Sequence, residues 1–122
     1  MESRFEEVER LLDRIRGVLR EIDGLLEKFE ESLMRGSLEE AFEKLEDEMR
    51  MLENLYPPAR GYRERVELLR RYVGAIRVRV SLYGLRRNYF REVEYIEKHF
   101  KDVMDFVESL SMMIRASRRA SL

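Results

Sequence analysis

The sequence predicts an all-α protein, an antiparallel helical bundle with heptad, coiled-coil-like packing. Three observations carry that reading. Apolar residues recur three and four apart along almost the whole chain. Charged residues make up 40% of it, against roughly 25% in ordinary globular chains. The single glycines Gly36 and Gly84 and the one proline pair fall where the apolar pattern breaks.

The first helix is predicted over about 2–35, because Phe5, Val8, Leu12, Ile15, Leu19, Ile22, Leu26, Phe29 and Leu33 share one stripe. Gly36 tolerates the left-handed conformation that ends a helix. Ser37 and Glu40 follow with the spacing of a capping box, which places Ser37 at the N-cap of a second helix over about 38–55. Its stripe is Leu38, Phe42, Leu45, Met49, Leu52 and Tyr56. Pro57 and Pro58 stop it, because proline lacks an amide hydrogen and disfavours helix in the residue before it. Pro58 also suits the first position of a third helix over about 59–83, with Tyr62, Val66, Leu69, Val73, Ile76, Val80 and Tyr83 inward. A fourth helix, about 86–117, follows Gly84 and the capping candidate Asn88, and presents Tyr89, Val93, Ile96, Phe100, Val103, Val107, Leu110 and Ile114. Val78, Leu82, Leu85 and Tyr89 also run four, three, four, so the pattern admits three helices with one continuous through Gly84. Four is the preferred count. The 122 residues form one predicted domain, 1–122.

Composition narrows the function. Cysteine is absent, which excludes disulfides, thiolate metal sites and a cysteine nucleophile. Apolar runs are far shorter than the roughly 18 residues of a membrane span, and the acidic, amphipathic start does not read as a signal peptide. A soluble cytoplasmic protein without a membrane partner is expected. Thr and Gln are missing and Asn occurs twice, a loss of thermolabile side chains that suggests a thermophile. His99 is the only histidine, and Glu94 and Glu97 stand five and two residues before it rather than the three of a Glu-x-x-His metal motif. No catalytic residue, cofactor or metal site is predicted.

Charge is unevenly divided. Residues 1–56 carry 17 acidic and nine basic side chains, and residues 57–122 carry eight acidic and 15 basic. The basic half contains RRYVGAIRVRVSLYGLRRNYF, Arg70–Phe90, with six arginines, three tyrosines and no acid. Part of this has an internal answer. Glu39, Glu46 and Glu53 fall one heptad apart on one edge of the second helix, and Arg63, Arg70 and Arg77 do so on the third. The Pro-Pro turn makes these helices antiparallel, so Glu53 should face Arg63, Glu46 face Arg70 and Glu39 face Arg77. The same register pairs Leu52 with Tyr62, Met49 with Val66, Leu45 with Leu69 and Phe42 with Val73.

Arg71, Arg79, Arg86, Arg87 and Arg91 have no such row. With Tyr83 and Tyr89 they are the candidates for a nucleic-acid surface, since arginine forks phosphate and tyrosine stacks on bases. The competing reading pairs them with Glu21, Asp23, Glu27 or Glu30 of the first helix. No nucleic-acid-binding motif accompanies them.

The favoured function is a non-enzymatic interaction or assembly protein. At ~1.5 Å per residue the first helix would be roughly 50 Å long and the second roughly 28 Å. The start of the first helix and the end of the fourth would then project together. They would bare Phe5, Val8, Leu12, Phe106, Leu110, Met113 and Ile114, the predicted interface of a homodimer. A small nucleic-acid-binding subunit is the alternative. A helical enzyme for an anionic metabolite is the third class, and would need Arg14, Arg16, Arg50 or Arg79 converging in the bundle interior.

Overall fold

The computed structural model describes residues 3–85 and 88–121, and every element in them is helical. Five α-helices follow one another: α1 (Arg4–Glu27), α2 (Phe29–Met34), α3 (Ser37–Leu55), α4 (Arg60–Tyr83) and α5 (Phe90–Ser121). A 3-10 turn, Pro57–Ala59, leads into α4. Among the described residues, no helix is long and apolar enough to cross a membrane.

α1 is opened by Ser3, whose hydroxyl accepts a hydrogen bond from the amide of Glu6 at 3.1 Å, satisfying one of the free donors at a helix start. The predicted first helix is not continuous to residue 35. It breaks at Lys28, where φ is −117° and ψ is 53°. No glycine or proline marks the spot. The backbone is held instead by Ser32, a buried serine whose hydroxyl lies 2.9 Å from the Leu25 carbonyl and 3.1 Å from that of Phe29. The Lys28 amide also donates to Leu25. The break lets α2 turn Phe29 onto Tyr89, ring centroids 5.5 Å apart. Ser32→Ala is therefore expected to lower stability by about 1 kcal/mol in urea unfolding; a neutral effect would mean that packing alone holds the kink.

The turn into α3 also differs from expectation. Gly36 takes φ 76° and is itself the N-cap, its carbonyl receiving the Glu40 amide. Ser37 is the first helical residue, and its hydroxyl donates back to the Ser32 carbonyl at 3.2 Å. The capping box is thus replaced by a tie between α2 and α3. At the other junction, Gly84 with φ 83° ends α4. The Asn88 side-chain oxygen accepts from the Phe90 amide at 2.7 Å, so the fourth predicted helix starts at Phe90 rather than 86, and α4 and α5 are separate.

The four long helices pack as a bundle in which α1 touches α3 and α5, α3 touches α4, and α4 touches α5. Neighbours run antiparallel. Arg14 meets Glu48 and Glu21 meets Lys44 between α1 and α3. Arg16 meets Glu108 and Glu9 meets Arg118 between α1 and α5. Arg65 meets Asp102 and Tyr72 meets Tyr95 between α4 and α5. The core holds Leu45, Met49, Leu52, Val66, Leu69 and Val73, with Phe42 set edge-on against Phe100 at 6.1 Å. Tyr62, expected opposite Leu52, is half-buried and stacks on Phe106 at 4.0 Å.

Candidate functional site

The charged seam between α3 and α4 is a three-rung ladder. Arg63 reaches Glu53 at 3.0 Å, Arg70 reaches Glu46 at 2.5 Å, and Arg77 reaches Glu39 at 2.5 Å. Two rungs have further partners: Arg63 also bonds Glu67 at 2.9 Å, and Glu46 also receives Arg50 at 2.9 Å. Gly74 sits where a Cβ would lie 3.0 Å from the Glu39 carboxylate, so the missing side chain lets that acid lie against α4. The central rung is the deepest, with the Glu46 side chain 4% exposed.

Hydrogen bonding to its glutamate raises the pKa of each of the three arginines above the ordinary value, against a smaller opposing push from desolvation. A raised basic pKa gives stability that is complete below the unfolded value and lost only as pH rises through the folded one. These three cations therefore stay charged across the whole working range, and the ladder is not an arginine-driven pH switch.

Arg71 and Arg79, on α4, form no salt bridge with a described residue of α1, and Glu21 pairs with Lys44 instead. Arg71 is exposed and bonded to Glu67 of its own helix at 2.8 Å. Arg79 and Arg91 are exposed, with no salt bridge to another described residue. Arg86 and Arg87 lie outside the described residues. Tyr83 is exposed at the end of α4, whereas Tyr89 is buried against Phe29 and is a core residue, not a stacking platform. Of the five described candidates, Tyr89 is thus withdrawn into the core while Arg71, Arg79, Tyr83 and Arg91 are exposed.

The four arginines weighed for an interior anion site do not converge. Arg14, Arg50 and Arg79 are on the outside, and Arg16 lies at the α1–α5 seam bound to Asp13 and Glu108. His99 lies beside Tyr95, ring centroids 4.5 Å apart. Among the described residues, no group of three His, Asp or Glu side chains is placed to hold a metal ion.

The projection expected of the first helix is not there. The break at Lys28 removes 29–34 from the long helix, so α3 runs beside nearly all of α1. At that end, Arg4 donates to the Leu55 carbonyl at 2.7 Å. Val8, Leu12, Leu110 and Ile114 are accordingly buried within the single chain, and Phe106 is half-buried against Tyr62 and Tyr56. Phe5 and Met113 remain exposed, with Met112 beside them. Five of the seven nevertheless come together. Phe5, Val8, Leu110, Met113 and Ile114, joined by Leu55 and Tyr56, line an open cleft of ≈ 280 Å³ at this end of the bundle. Leu55 and Tyr56, with Arg4 and Ser117, are the members that sequence reasoning did not include; the first two lie at the end of α3, which the projecting helices were expected to pass.

No family model matches the sequence, and no curated protein or solved structure matches it either.

Proposed function

We propose that this chain is a non-enzymatic, cytoplasmic helical assembly protein that self-associates through the open end of α1 and α5. The three-and-four spacing of its buried residues supports coiled-coil-like packing, with α1 and α2 acting as one interrupted helix in a four-helix scheme. The observation that carries the proposal is the cleft: apolar, open, and edged by exposed Phe5 and Met113. Its surroundings fit a second copy, because both signs of charge are present and unspent. Glu6 and Glu7 open α1, Arg115 and Arg119 close α5, and none of the four forms a salt bridge within the described residues. A twofold axis brings the α1 of one copy to the α5 of the other, and each row of charge then meets its opposite.

Light scattering tests this directly. The wild type is expected near twice the chain mass of 14.8 kDa. Phe5→Glu with Met113→Glu, both at exposed positions, should give a helical monomer. A wild-type monomer at every concentration, or a dimer untouched by the double substitution, contradicts the proposal.

Nucleic-acid binding is the weaker reading, because Tyr89 is in the core and Arg71 is held by Glu67. Its test is a salt series with labelled duplex DNA and single-stranded RNA. Retained phosphate contacts would show as affinity falling steeply with salt; the assembly reading expects no such binding.

A further inference from the structure

The outward face of α4 carries a second apolar stripe that no described residue of the chain covers. α4 turns Val66, Leu69, Val73, Ile76 and Val80 into the core. At 3.6 residues per turn, its opposite side presents Leu68, Ala75, Val78 and Leu82, spaced seven, three and four. These are the intervals of a coiled-coil seam. Leu68 is 62% exposed, Val78 52% and Leu82 69%. A helix whose outer side faced only water would carry polar residues there. Single exposed leucines need no explanation, but a row in helical register marks an interface.

The borders of the stripe say what covers it. From Leu68 to Arg91 there is no acidic residue. Arg70 and Arg77 of that segment are spent on the ladder. Arg71 stands within the stripe, exposed but bonded to Glu67 of its own helix at 2.8 Å, and Arg79 stands beside it without a salt bridge to another described residue. A second copy laid on this face would set arginine against arginine, and like charges at an interface disfavour the pairing. The open end of α1 and α5, by contrast, carries both signs. A phosphate backbone has no use for the leucines. An amphipathic helix with an apolar seam and acidic flanks satisfies both features at once.

We infer that the outward face of α4 docks an acidic amphipathic helix of a partner protein, through Leu68, Ala75, Val78 and Leu82 with Arg79 receiving its carboxylates. This surface is separate from the self-association cleft, so the two proposals stand or fall independently.

The test uses the full chain and a labelled synthetic peptide of heptads with leucine at the seam positions and glutamate on both flanks. A twin peptide carries lysine on the flanks. Anisotropy titrations should show the acidic peptide binding at least about tenfold more tightly than its twin. Val78→Glu with Leu82→Glu should remove that binding while the helical circular dichroism stays unchanged. The inference is overturned if the two peptides bind alike, if the acidic one does not bind, or if the double substitution has no effect. It is equally overturned if Val78→Glu with Leu82→Glu converts a dimer of the chain to a monomer, which would make a second copy the occupant. Loss of wild-type binding to phosphatidylserine vesicles in the same variant would assign the face to a membrane instead.

Discussion

Phe42→Ala is expected to cost about 3–5 kcal/mol and to lower the thermal midpoint by roughly 12–20 °C. Phe42 is fully buried on α3, which packs on α1, α2 and α4. Its ring meets the edge of Phe100 from α5 at an interplanar angle of 84°. Truncation thus opens a cavity that faces several elements at once, and partial collapse of one helix cannot fill it. Phe42→Leu keeps most of the volume and should cost well under half as much. A loss near 1 kcal/mol for the alanine variant would mean that the core around Phe100 repacks freely.

The second large effect is expected at the centre of the ladder. Arg70→Ala leaves Glu46 in a 4% exposed position with only Arg50, itself largely exposed, to answer its charge. Breaking a buried pair strands a carboxylate, and because Arg70 is 30% exposed the expected loss is about 2–3 kcal/mol rather than the full 3–5 of a sealed pair. Arg77→Ala, at a more open rung, should lose clearly less. The decisive comparison is the double variant. Adding Glu46→Ala to Arg70→Ala should return part of the lost stability, because the stranded charge is gone. Urea unfolding of the four proteins measures the coupling; strictly additive losses would show that the rung contributes no specific interaction.

The ladder was legible because it depends on two regularities alone, a seven-residue repeat of charge and an antiparallel turn that fixes one register. All three predicted rungs are present. What could not be read was depth. Glu46 has the heptad position of Glu39 and Glu53 but is buried, and it is met from both sides by Arg50 and Arg70. The break at Lys28 was invisible for a related reason. The chain is interrupted by a serine hydroxyl reaching a carbonyl seven residues back, not by glycine or proline. That one local event removes the expected overhang and moves Val8, Leu12, Leu110 and Ile114 from the surface to the interior. At Ser37 the predicted capping box does not form, because Gly36 in the left-handed region is the N-cap and the Ser37 hydroxyl turns back to the Ser32 carbonyl. Tyr89 belonged to both the apolar stripe and the proposed stacking set, and the stripe prevails. The outer stripe of α4 was half visible as the run Val78, Leu82, Leu85, which bore on the helix count rather than on a second face.

Self-association through one end of the bundle is the central claim, and the absence of cysteine makes its direct test simple. A single cysteine can be placed at Ala116, exposed near the cleft, or at Glu30, exposed at the far end, and spin-labelled. Pulsed dipolar spectroscopy then reads distances between copies. The account predicts a short intermolecular distance for the label at 116 and a much longer one for the label at 30. A short distance at 30, or no intermolecular coupling at 116, would contradict it.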